Sequence, residues 1–127
     1  MRLDTCHFGI HVHSLEEARA FYVDKLGFEV LQHAPEIKLL AVRAGNIRLS
    51  MIADISKVEG AACASVGGSI IFRTDDLDDT IATLTGLGID VPAPTEASGL
   101  MRFVILHDPS GNAVQIAEYL RDPLAAE

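Results

Sequence analysis

The sequence predicts an α+β fold of two βαβββ modules whose curved mixed sheets form a cleft. Three observations predict it. Short segments alternate apolar and polar residues, the pattern of half-buried strands. Two other segments carry apolar residues at helical spacing behind a capping residue. The order of these elements occurs twice, in module 1 over about residues 3–53 and module 2 over about residues 68–119. The 127 residues suffice for one domain with a core, and the chain is read as a single domain, 1–127.

The first segment runs from Leu3 to His13, with Phe8, Ile10 and Val12 on one face and His7, Gly9, His11 and His13 on the other. Ser14 followed by Glu17 is a capping box, each side chain satisfying a backbone N–H of the first helical turn. Leu15, Ala18, Phe21, Tyr22 and Leu26 then form one apolar stripe, and Gly27 is a natural C-cap. Strands are expected over Phe28 to His33, Ile37 to Arg43 and Asn46 to Ala53, with turn signals at Pro35-Glu36 and Ala44-Gly45-Asn46. Asp54 to Gly67 has small residues and no period, as a linker has.

The order then repeats. Gly68 to Thr74 reads as a strand, and Asp75-Asp76 opens a helix with Leu77, Ile81 and Leu84 as its stripe. The aspartates favour the positive end of the helix dipole. Short strands are expected around Ile89 to Val91, Leu100 to Leu106 and Ala113 to Tyr119, the last two joined by the turn Asp108-Pro109-Ser110-Gly111-Asn112. At one constant offset His7 falls on Ser69, Ser14 on Asp76 and Leu15 on Leu77; Leu26-Gly27-Phe28 matches Leu87-Gly88-Ile89 after a one-residue deletion. Each module has an open sheet face that the other can cover, and a cleft between sheets is a usual place for a ligand. A ferredoxin-like sandwich shares the βαβ start and stays open on the repeat alone.

The net charge of −8 and the scattered Lys and Arg exclude the basic stripe of a nucleic-acid binder. No apolar run reaches the roughly 20 residues that span a bilayer. The opening residues carry no apolar signal core, so a cytoplasmic setting is expected. Cys6 and Cys63 form no metal-type pair and are read as reduced thiols. There is no P-loop, dinucleotide fingerprint or nucleophile elbow, and Gly86-Leu87-Gly88 is better explained as a helix terminus.

The segments His7-Phe8-Gly9-Ile10-His11-Val12, Ser14-Leu15-Glu16-Glu17-Ala18, Phe21-Tyr22 and Leu26-Gly27-Phe28 resemble the opening of glyoxalase I, the bleomycin-resistance proteins and the extradiol dioxygenases, the vicinal oxygen chelate superfamily. Asp108-Pro109-Ser110-Gly111-Asn112-Ala113-Val114-Gln115-Ile116 resembles their closing segment. The resemblance covers about Leu3 to Tyr119. It implies a glyoxalase-like fold, a small-molecule cleft and a homodimer, in which open sheet edges gain cover.

Metal-dependent members place one ligand on the first strand and one on the last strand of each half. The resemblance carries these positions onto His7, Ser69 and Gln115. Matching Gly45-Asn46 to Gly111-Asn112 would point to Leu49 as the fourth; strand alternation and the family's L-E-L pattern point to Ser50. One imidazole, one amide and two hydroxyls depart from the imidazole and carboxylate donors a divalent metal wants. No metal and no other cofactor is therefore expected; were a divalent metal held, His7 and Gln115 would be its ligands. The expected ligand-binding cleft comprises His7, His11, Arg48, Ser50, Ser69, Arg73 and Gln115, with Phe103 or Arg102 joining according to register. This surface suits a polar organic molecule, and a carboxylate could pair with Arg48 or Arg73. Three functions stay open. One is metal-free binding of such a molecule. Another is a metal-dependent lyase, isomerase or dioxygenase acting on vicinal oxygens. The last is acid–base catalysis by His7 or His11 without metal.

Overall fold

The computed structural model describes residues 1–2, 7–53, 69–97 and 99–124, with His7 and Ser69 described by their backbone alone. Cys6, Cys63 and the expected linker lie outside the described residues. The chain divides into two compact units, Met1–Gly68 with Asp108–Asn112, and Ser69–His107 with Ala113–Glu127.

In the first unit, β1 (His7–Val12) leads into α1 (Leu15–Arg19), which continues as a π-helix over Ala20–Lys25. Strands β2 (Glu29–Ala34), β3 (Leu39–Ala44) and β4 (Ile47–Ala53) follow, with a 3₁₀ turn at Pro35–Ile37. The sheet order is β1-β4-β3-β2, with β1 parallel to β4 and the other pairs antiparallel. The expected alternation holds over β1, β3 and β4, though Phe8 at the start of β1 is 44% exposed, and it is interrupted in β2. Ile10, Val12, Leu40, Val42, Leu49 and Met51 are buried together with Ala18, Phe21 and Tyr22 of the helix. Each fully buried aliphatic side chain contributes about 1.5–3 kcal/mol over its exposed state.

The helix starts as its capping residue requires: Ser14 Oγ accepts from the Glu17 N–H at 3.1 Å. Its second half is wider than an α-helix, the Leu26 N–H reaching back to the Phe21 carbonyl at 3.0 Å. The sequence repeat gives the reason. The first module has one more residue than the second between the matched leucines Leu15/Leu77 and Leu26/Leu87, and a π turn takes up one added residue without breaking the helix.

The turn residues Asp108–Asn112 belong to this unit and hold β1 at its end. Asp108, 5% exposed, accepts from Tyr22 Oη at 2.8 Å, the Ser110 N–H at 2.9 Å, the Asn112 N–H at 2.8 Å and Asn112 Nδ2 at 3.0 Å. Asn112 Nδ2 also donates to the His11 carbonyl at 2.7 Å, and the His13 N–H donates to Ser110 Oγ at 2.7 Å. A buried carboxylate with this many donors is fully solvated by protein, which is what its burial demands.

The second unit repeats the plan with β5 (Ser69–Arg73), α2 (Leu77–Gly86), β6 (Thr95–Ala97), β7 (Met101–His107) and β8 (Ala113–Tyr119), in the order β5-β8-β7-β6. Asp76 caps α2 through Oδ1, which accepts from the Asp79 N–H at 3.1 Å. Ile70, Val104, Leu106, Val114 and Ile116 are buried with Leu77 and Leu84. The strand expected at Ile89–Val91 does not form; the pairing segment is β6, which opens just after Pro94. Pro92 and Pro94 have no N–H to give to a ladder, so pairing waits until both are passed. No helix among the described residues is long and apolar enough to cross a membrane.

Candidate functional site

Each sheet has one face turned toward its apolar core and one turned away, and His11, Arg48, Ser50, Arg73 and Gln115 lie on the latter. On the first sheet the register pairs His7 with Arg48, Gly9 with Ser50 and His11 with Ile52. His11 is half-buried and Ile52 is 43% exposed, whereas Ser50 is 5% exposed. Arg48 and Ser50 sit two apart on β4 and are in contact: Arg48 Nε donates to Ser50 Oγ at 3.2 Å. A terminal nitrogen of Arg48 donates to Gln32 Oε1 on β2 at 2.6 Å. To reach it the side chain spans β3, where Ala41 lies between Ser50 and Gln32 in the ladder and its single methyl leaves room.

Gln32 was not among the residues expected from sequence, and the reason is a β-bulge. Val30 pairs with Val42, yet Gln32 pairs with Ala41, so Leu31 is an extra residue in β2. Strict alternation would put Gln32 on the face of Val30; the bulge re-aims it onto the face of Ser50. The signal in the sequence is faint: the adjacent apolar pair Val30-Leu31 interrupts the alternation just before Gln32.

On the second sheet Ile71 pairs with Gln115 and Gln115 with Ile105, placing a half-buried amide between isoleucines that are 51% and 39% exposed. The next row is Arg73, Ala117 and Phe103, so Phe103 and not Arg102 shares this face. Arg102 lies on the opposite face, 3.1 Å from Asp78 and 4.0 Å from Glu118. Arg73 is exposed and lines a depression of about 270 Å³ with Thr74, Asp75, Glu118 and Arg121, which takes in none of the other expected site residues.

The register also relates the two sheets by sequence. Gly9 and Ile71 hold matching places in the repeat; Gly9 pairs with Ser50 and Ile71 with Gln115. Ser50 thus occupies in its sheet the position of Gln115, and Leu49, 0% exposed on the core face, does not.

The two sheets of one topology and the closing turn are accompanied by a sequence match: residues 6–116 fit the profile of the Glyoxalase/Bleomycin resistance protein/Dioxygenase superfamily. The chain belongs to this superfamily. Solved members share its architecture. The glyoxalase family protein from Enterococcus faecalis is 25% identical, with a TM-score of 0.74 over 91% of this chain and 97% of that one. TnmS3, an antibiotic binding protein from Streptomyces sp. CB03234, is 24% identical, with a TM-score of 0.76 over 94% and 98%. Lactoylglutathione lyase from Agrobacterium tumefaciens is 24% identical, with a TM-score of 0.74 over 93% and 95%. No curated protein matches the chain.

Superfamily membership raises the question of a metal, and the donor set answers it poorly. The four matched positions hold His7, Ser50, Ser69 and Gln115, with no carboxylate to neutralise a divalent ion. The Ser50 hydroxyl accepts from a guanidinium 3.2 Å away. A cation at that oxygen would face a like charge, and two unit charges about 4 Å apart repel by roughly 4 kcal/mol near a protein surface. Among the described residues no three His, Cys, Asp or Glu side chains gather as a metal site would require. The residues present do not fit a divalent metal.

Proposed function

We propose that this chain binds a small polar organic molecule through sheet faces turned away from its helices, without a tightly bound metal. The observation that carries the reading is the Arg48–Ser50 contact, which puts a fixed positive group at a position where metal-dependent relatives need a ligand. The Ile71–Gln115–Ile105 row supports it, since one amide flanked by exposed apolar groups suits an organic molecule better than an ion. The likeness to an antibiotic binding protein is one of fold, and it agrees with a role in binding. Pairing with a second copy of the chain and a cytoplasmic setting belong to the same reading.

Calorimetric titration of tag-free, metal-stripped protein with Ni²⁺, Zn²⁺ and Fe²⁺ tests it. No saturable one-site heat is expected. Saturable binding at micromolar affinity, lost in His7→Ala, would replace this reading with a metal-dependent lyase, isomerase or dioxygenase. A thermal-shift screen of small organic acids, amides and alcohols then reads binding itself, and a screen without a single stabilising compound overturns the binding role.

A further inference from the structure

The arginines of this face differ in how their charge is met. Arg43 is 3.3 Å from Glu29, an ion pair. Arg48 is held by two neutral oxygens, Ser50 Oγ and Gln32 Oε1. Of the five N–H groups a guanidinium carries, the two in these bonds are the ones with partners among the described residues, and no carboxylate there pairs with it. The side chain is half-buried and its direction is set at two points, so its charge is oriented, and no carboxylate among the described residues neutralises it.

The surroundings give the shape of what it would meet. The ladder row beside Arg48 consists of Gly9, Ser50 and Ala41, all small. Among the described residues, a β-carbon built on Gly9 would touch nothing nearer than the Ser50 carbonyl oxygen at 4.0 Å, so there is room over Gly9. The next row is His11, Ile52 and Leu39, with Ile52 43% exposed. Exposed Gly9 and the exposed side of Ile52 therefore lie beside the guanidinium, which itself covers Ser50 and Ala41.

We infer that Arg48, positioned by Gln32 and Ser50, is an anion-binding centre, and that the ligand class of this face is a small carboxylate with an apolar body. The inference rests on the binding role proposed above and names its chemistry. The carboxylate takes the free guanidinium N–H groups, where charge-assisted bonds are strong and planar. The apolar body lies over Gly9 toward Ile52. Gln32 is a positioning residue: it touches the guanidinium and not the ligand.

The probe is benzoate, with benzamide as its neutral isostere, titrated into ¹⁵N-labelled protein while the Arg48 Nε–Hε resonance is followed, its assignment fixed by its loss in Arg48→Lys. Benzoate is expected to shift that resonance saturably, and benzamide to bind about tenfold or more weaker, the equivalent of one charge-assisted hydrogen bond. Arg48→Met should weaken benzoate by about the same factor. Gly9→Val leaves the guanidinium intact and fills the space over Gly9, so it should also weaken benzoate, which keeps the test independent of whether Arg48→Met folds. Gln32→Leu should weaken benzoate less than Arg48→Met does and shift the Arg48 resonance in the unliganded protein. Equal binding of benzoate and benzamide, or full benzoate affinity in Arg48→Met or Gly9→Val, overturns the assignment while leaving the binding role standing. Absence of any benzoate shift overturns it as well; only a blank thermal-shift screen removes both.

Discussion

The phenolic hydroxyl of Tyr22 donates to Asp108 Oδ2 at 2.8 Å, and the two side chains are 0% and 5% exposed. The bond ties the π-helical segment to the turn that holds the end of β1. Removing the hydroxyl leaves a buried carboxylate one donor short, a loss of about 1–3 kcal/mol. Tyr22→Phe should therefore lower the urea midpoint with an unchanged m-value. Asp108→Ala should cost more, because Ser110, Asn112 and Tyr22 all lose their acceptor. Equal midpoints for wild type and Tyr22→Phe would show the bond to be energetically idle.

Burial, then the charge of Asp108 and the hydrogen bond to it, push the Tyr22 phenol above the ordinary tyrosine range. In the unfolded chain a tyrosine ionises near about pH 10. The folded state keeps its proton where the unfolded state releases it, so this contribution is complete below about pH 10 and is lost as pH rises beyond it. Unfolding free energies measured toward alkaline pH should fall by up to about 1.4 kcal/mol per pH unit from this group, and Tyr22→Phe should lack that component. A tyrosinate absorbance from Tyr22 in protein that is still folded at that pH would contradict the placement.

The bulge makes a prediction by deletion. Without Leu31, Val30 and Gln32 become neighbours and can pair with Val42 and Ala41 in a regular ladder. The deletion removes a partly exposed side chain and should change stability by no more than about 1 kcal/mol, with the Arg48 Nε–Hε resonance in place. Deleting Gln32 instead brings Leu31 opposite Ala41, and the resonance should move because the guanidinium loses the acceptor of its terminal nitrogen and is no longer held at that end. Two deletions with the same spectrum would mean that Gln32 does not set Arg48.

Much of the fold is legible because its causes are local. Alternation over β1 and β4 reflects the two-residue period of a strand, so Arg48 and Ser50 share a face whatever lies across from them. Ser14 and Asp76 cap their helices by reaching N–H groups three residues ahead. The shift of the pairing segment from Ile89–Val91 to Thr95–Ala97 also has a local cause, since Pro92 and Pro94 have no N–H to give to a ladder.

The sequence by itself thus determined the two βαβββ modules, the superfamily, and the placing of Arg48 beside Ser50, all properties of residues a few positions apart. Only the tertiary structure decided what pairs at long range. It sent the Tyr22 hydroxyl to Asp108, although Tyr22 reads as one more apolar residue of its stripe. Through the bulge it turned Gln32 onto the face of Arg48. A bulge exists only relative to a partner strand, and a buried hydroxyl only relative to its acceptor. Neither has a local period by which the chain could announce it.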